Sequence, residues 1–111
     1  MREITFKEAI TEAVDEEMAR DPTVFIIGED IGKWWGAALG EYQGLFDKYG
    51  PERIRETPIS ETAILGGAMG AAITGMRPIA FLMFCDFLGV CGDELIRRIS
   101  RGKVAMLLLS P

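Results

Sequence analysis

VFIIG, Val24 to Gly28, is an unbroken apolar run of strand length closed by glycine, the pattern of a strand buried on both faces rather than one with a wet side. Upstream of it, Thr5-Phe6-Lys7-Glu8 has the T-x-x-E form of a capping box, and Phe6, Ala9, Ile10, Ala13, Val14 and Met18 follow at helical spacing. The spacing predicts an amphipathic helix from about Phe6 to Arg20, ended by Asp21-Pro22. A helix feeding a doubly buried strand predicts an α/β sheet.

Downstream, EDIGKWWGAALG, Glu29 to Gly40, mixes acids, glycines and paired tryptophans and reads as a loop beyond the strand's end. Loops in that position often carry function. Tyr42 to Lys48 predicts a short helix stopped by Gly50-Pro51, and Arg53 to Arg55 a brief strand. Ser60 is placed to cap the next helix, with Ile59 and Ile64 spaced to form a hydrophobic staple and Glu61 in the first turn. That helix carries Gly66, Gly67, Gly70, Ala71 and Ala72, a small-residue content suited to close approach of another backbone, and Gly75 is placed to end it. Two more strands, Ile79 to Phe84 and Val104 to Leu109, flank a helix predicted from Phe87 to about Ser100, with Leu88, Cys91, Leu95 and Ile99 on one face.

The 111 residues fit one domain, and 49% hydrophobic with 26% charged residues is a globular composition. A net charge of −5 argues against a nucleic-acid partner, which requires clustered Lys and Arg. The basic run Arg97, Arg98, Arg101 and Lys103 reads as a helix C-terminal face. The start, MREITFKEAITEAVDEE, is too charged for a signal peptide, and no apolar run approaches the roughly 20 residues that span a bilayer. A cytoplasmic protein with no membrane partner is expected. Cys85 and Cys91 fit no metal or redox spacing and read as reduced core cysteines. The chain has no histidine, which removes the usual triads and most zinc sites; chemistry must come from carboxylates or a borrowed cofactor.

Taken in order, MREITFKEAI, FIIGED, YGPERIRETPISE and GAAITGMRPIAFLMFCDF closely resemble the beta subunit of the thiamine-diphosphate-dependent first component of 2-oxo acid dehydrogenase complexes, the group of pyruvate, branched-chain and acetoin dehydrogenases. The resemblance spans about Met1 to Asp93, and TPISE with its glycine-rich helix is its most specific part. It implies a transketolase-like pyrimidine-binding domain, α/β with a central parallel sheet, and thiamine diphosphate as cofactor.

Glu61 matches the glutamate of that motif. The resemblance implies that it hydrogen-bonds the aminopyrimidine ring and favours the imino form, which takes the proton from the thiazolium carbon. As residues alone, the position equally suits a first-turn acid, a common use of glutamate. Met83 and Phe87 fall where the family packs apolar residues on the pyrimidine, although plain strand and helix core would account for both. Glu29 matches an acidic position that the family places near the passage between two cofactors; its alternative is a solvated loop acid. Trp34 and Trp35 fit a subunit surface better than a substrate contact.

The resemblance also implies partners: an alpha subunit holding the diphosphate and its magnesium, a second beta subunit, and the lipoyl acyltransferase of the complex. Family beta subunits are longer and carry a C-terminal transketolase domain, so the chain reads as an N-terminal part of the pyrimidine-binding domain, truncated. From Leu95 the sequence LIRRISRGKVAMLLLSP is expected to depart from the family pattern. Two function classes follow: a cofactor-activating part of a dehydrogenase beta subunit, or a noncatalytic remnant that at most associates with other subunits. Transketolase itself is a third, disfavoured because there the diphosphate domain usually comes first. The residues do not say which 2-oxo acid, or acetoin, is used.

Overall fold

The computed structural model describes residues 2 to 98 and 106 to 109, the last two of the first span and all of the second as backbone alone. Helix α1, Phe6–Arg20, starts as the capping box predicts: the Glu8 amide donates to Thr5 Oγ1, and the Thr5 amide donates to the Glu8 carboxylate at 2.7 Å. Only Val14 and Met18 of its predicted face are buried, while Phe6 is 78% exposed. Phe6 sits in the first turn, where α1 has not yet reached the sheet.

Strand β1, Val24–Gly28, is central to a four-stranded sheet of order β2-β1-β3-β4, in which every pairing is parallel. Its neighbours are β2, Ile54–Glu56, and β3, Arg77–Leu82; β4, Met106–Leu109, pairs with the far side of β3. Helix α2, Leu45–Tyr49, links β1 to β2, and α3, Glu61–Ile73, carries the chain from β2 across to β3. The expected α/β fold with a central parallel sheet is therefore present.

Alternation along the strands divides the core into two layers. Val24, Ile26, Ile79 and Phe81 pack with Val14 and Met18 of α1 and with Ile31, Ala37 and Tyr42 of the loop after β1. Ala80, Leu82 and the half-buried Ile27 pack on the other face with Ile64, Leu65 and Ala68 of α3 and with Cys91. Gly28 is required where it stands, because an added Cβ would lie 2.8 Å from the Phe81 carbonyl oxygen.

Several local expectations are corrected. Ser60 precedes α3 but makes no side-chain capping bond, and no staple closes that end, since Ile59 is 78% exposed and Ile64 fully buried. Among the described residues the glycines of α3 meet no other backbone: an added Cβ at Gly67 would touch only Ile27, and at Gly70 nothing within 4 Å. As far as Arg98, the helix expected from Phe87 to Ser100 is instead a 3₁₀ turn, Cys85–Gly89, followed by a π-helical segment, Glu94–Arg98; Ile99 and Ser100 lie outside the described residues. The helical backbone breaks at Val90 and Cys91, just after Gly89, and resumes at Gly92; a glycine in a helix interior costs about 1 kcal/mol. Cys91 is buried as expected, but Cys85 is exposed on the 3₁₀ turn. Arg101 and Lys103 lie outside the described residues.

Candidate functional site

Strand order decides where a site can form. From β1 the chain moves to one side, to β2, and then returns through α3 to the other side, to β3. This reversal puts a topological switch point at the carboxyl ends of β1 and β3, the usual ligand position in open parallel sheets. Three segments reach that edge: the loop opening with Glu29, the first turn of α3 with Glu61, and the residues after β3 that include Met83 and Phe87.

Glu29 is 3% exposed and Glu61 7%. Glu29 continues the alternation of Phe25 and Ile27 toward the α3 face, which is why the two acids approach each other. Burial pushes the Glu29 carboxyl above the ordinary carboxylate range, and the charges of Glu61 and then Asp30 add to the rise. Neither carboxylate of the pair accepts a hydrogen bond among the described residues, so each keeps a small opening to solvent. A buried, unpartnered carboxyl at a helix start fits a ligand that offers a ring nitrogen and an amino group, and in that respect Glu61 suits an aminopyrimidine.

The loop that holds Glu29 is ordered by its own bonds. The Ala37 amide donates to the Asp30 carbonyl and the Tyr42 amide to the Gly36 carbonyl, both at 2.8 Å, while Ile31 and Tyr42 anchor it in the core. Tyr42 meets Phe81 edge-on at 5.2 Å, and its burial drives the phenol pKa well upward. Trp34 and Trp35, by contrast, stand 87% and 67% exposed.

The other two predicted residues are placed differently. Met83 is half-buried and packs with the α1-side core, on the sheet face opposite α3. Phe87, 37% exposed, lies on the 3₁₀ turn edge-on to Phe84 at 5.8 Å. That turn is joined to α3 by the Thr62 hydroxyl donating to the Val90 carbonyl at 3.4 Å.

Glu94 was not anticipated. It is 8% exposed and lies against Gly66 of α3, where an added Cβ would stand 4.0 Å from its Cγ. Its spacing of three from Cys91, on the apolar side of the predicted helix, was the available signal. Burial raises the Cys91 thiol pKa, and the charges of Glu61 and then Glu94 contribute to the rise, so this thiol is kept protonated and unreactive. Among the described residues no group of three or more acidic or cysteine side chains is arranged to hold a metal ion.

A parallel α/β sheet with two buried carboxyls at its switch point defines the class of fold: a doubly layered α/β domain. The family model "Transketolase, pyrimidine binding domain" matches residues 2–110, and the chain belongs to that family. The match runs through the segment after Leu95 that was expected to depart from the family. The chain is 47% identical over 109 residues to the beta subunit of acetoin:2,6-dichlorophenolindophenol oxidoreductase from Cupriavidus necator, covering 90% of this chain and 32% of that protein. It is 43% identical over 102 residues to a mitochondrial pyruvate dehydrogenase E1 component subunit beta-2 from Oryza sativa subsp. japonica, covering 92% and 27% respectively. Among solved structures, a split gene transketolase, described as an inactive beta4 tetramer, aligns with a TM-score of 0.64 at 26% identity, covering 86% of this chain and 29% of that one. The chain spans about a third of the length of the curated relatives it matches.

Proposed function

We propose that the chain is the pyrimidine-binding part of a thiamine-diphosphate-dependent 2-oxo acid or acetoin dehydrogenase beta subunit, with Glu61 as the group that activates the cofactor. The observation that carries this reading is the Glu61 carboxyl itself: buried at the start of α3, without a hydrogen-bond donor among the described residues, and facing Glu29 across the switch point. Thiamine diphosphate, when bound, would supply the nucleophilic carbon that the reaction requires. Glu61 holds or gives a proton at the pyrimidine ring nitrogen, with Glu29 near it as a second acid whose affinity for a proton is raised by burial. Phe87 is proposed as an apolar wall of the ring site, whereas Met83 packs with the α1-side core on the opposite face of the sheet. An alpha subunit supplies the diphosphate and magnesium contacts, a second beta subunit completes the assembly, and the acyl group passes to a lipoyl acyltransferase.

Dye reduction tests the reading. With thiamine diphosphate, magnesium and substrate, the purified chain alone is expected to show no turnover, because the diphosphate contacts lie elsewhere. Turnover is expected when an alpha subunit is joined to a beta subunit carrying this sequence as its N-terminal part, and to vanish with Glu61→Ala. Cofactor-dependent turnover by the chain alone, or turnover indifferent to Glu61, contradicts it.

A second reading, an association module without catalysis, draws on the apolar side chains left exposed along and beside α3: Ile59, Ile73, Val90 and Ile96. An assembly that forms equally well with Glu61→Ala and never reduces the dye supports that reading instead.

A further inference from the structure

Glu29 and Glu61 ride on different segments, so something must fix their separation. Among the described residues, two contacts tie the end of β1 and the loop that follows it to the end of β2 and the residue after it. One is the last backbone bond of the pair, the Thr57 amide donating to the Gly28 carbonyl at 2.9 Å. The other is a side chain. Glu56, the last residue of β2 and the register partner of Gly28, lies across Gly32 in the loop after β1. A methyl group built on Gly32 would overlap the Glu56 carboxylate oxygen and stand 2.7 Å from its carboxyl carbon; the three nearest atoms to that methyl all belong to Glu56. Gly32 is buried although it has no side chain of its own, and Glu56 is what lies over it, while Glu56 remains exposed on its outer side.

We propose that Glu56 is a positioning residue: by lying across Gly32 it clamps the Glu29 loop to the loop leading into Glu61, and so sets the distance between the two carboxyls. This rests on the reading of that pair as the functional site. Glycine at 32 leaves room for the clamp, and the length of a glutamate spans from the end of β2 to the neighbouring loop. The contact is one of placement, so an uncharged side chain of the same length serves as well.

The test reads the pair without any cofactor, so its failure is distinguishable from failure of the thiamine reading. The carboxyl carbon of Glu29, assigned by comparison with Glu29→Gln, is titrated by NMR in the 111-residue chain; the charged neighbours that set its midpoint are Glu61 and Asp30. Glu56→Ala is expected to lower that midpoint by about half a pH unit, as the loop opens to water and draws away from Glu61, and to weaken hydrogen-exchange protection of the Thr57 amide. Glu56→Gln is expected to keep both at their original values. Gly32→Ala, which displaces Glu56, is expected to reproduce Glu56→Ala, and adding it to Glu56→Ala to change nothing more. An unmoved Glu29 midpoint in Glu56→Ala overturns the proposal. So does an equal shift in Glu56→Gln, which would assign the effect to charge, or unfolding of Glu56→Ala alone, which would make Glu56 a general stability residue.

Discussion

Glu29 shows how one loop acid is set by the fold around it. Its folded pKa is raised by burial and by the Glu61 charge, so the folded state binds the proton more tightly than the unfolded chain. Its favourable contribution is complete below the unfolded glutamate pKa and is lost as pH rises through the folded value. Glu29→Gln therefore removes a cost present only at higher pH. At pH 7 the variant is expected to melt higher than the parent, with the difference shrinking toward pH 4. A melt series across that range checks it; a gap that widens on acidification contradicts the assigned direction. The sequence made the acid visible in GED, beyond the VFIIG run, but not its burial. That depends on Ile31 and Tyr42 drawing the loop into the core, contacts with no local periodicity to reveal them.

At the scale of elements, what was legible had a repeating signal, and what was missed depended on partners distant in sequence. The α1 cap and the β1 run occupy the predicted residues because capping geometry and apolar run length are local. Within the described residues the helix expected from Phe87 is broken at Val90 and Cys91, after Gly89, because apolar spacing does not register the backbone cost of a glycine. Arg53 is a further contact that no pattern announces. Its Nε donates to the Val24 carbonyl at 2.6 Å and its Nη2 to the Met18 and Asp21 carbonyls at 2.8 and 3.0 Å, tying the end of α1 to the start of β1 and to β2. Its guanidinium also lies 5.4 Å from the Tyr49 ring centre. Arg53→Met is expected to cost about 2 kcal/mol, since three carbonyls lose a charged donor, and Arg53→Lys to recover only part of that because an ammonium lacks the planar fork. Urea unfolding measures both; full recovery by lysine would contradict the fork argument.

For the whole molecule, the exposed Ile59, Ile73, Val90 and Ile96 leave apolar surface along α3 and the segment packed beside it. Such a surface is expected to draw copies of the chain together. Light scattering on the soluble chain should show a mass above 12.2 kDa that grows with concentration; a monomer that persists at high concentration contradicts it. The account as a whole turns on Glu61, and the most direct measurement is exchange of the thiazolium proton of bound thiamine diphosphate, followed by quenched-flow NMR. It is made in an assembly of an alpha subunit and a beta subunit carrying this sequence. A positioned acid-base group contributes roughly 10² to 10⁴ in rate, so Glu61→Gln, which keeps the size but cannot pass the proton, is expected to slow exchange by a factor in that range while the thermal melt stays near the parent's. Near-normal exchange in Glu61→Gln would contradict the account and leave Glu61 a helix-start carboxylate.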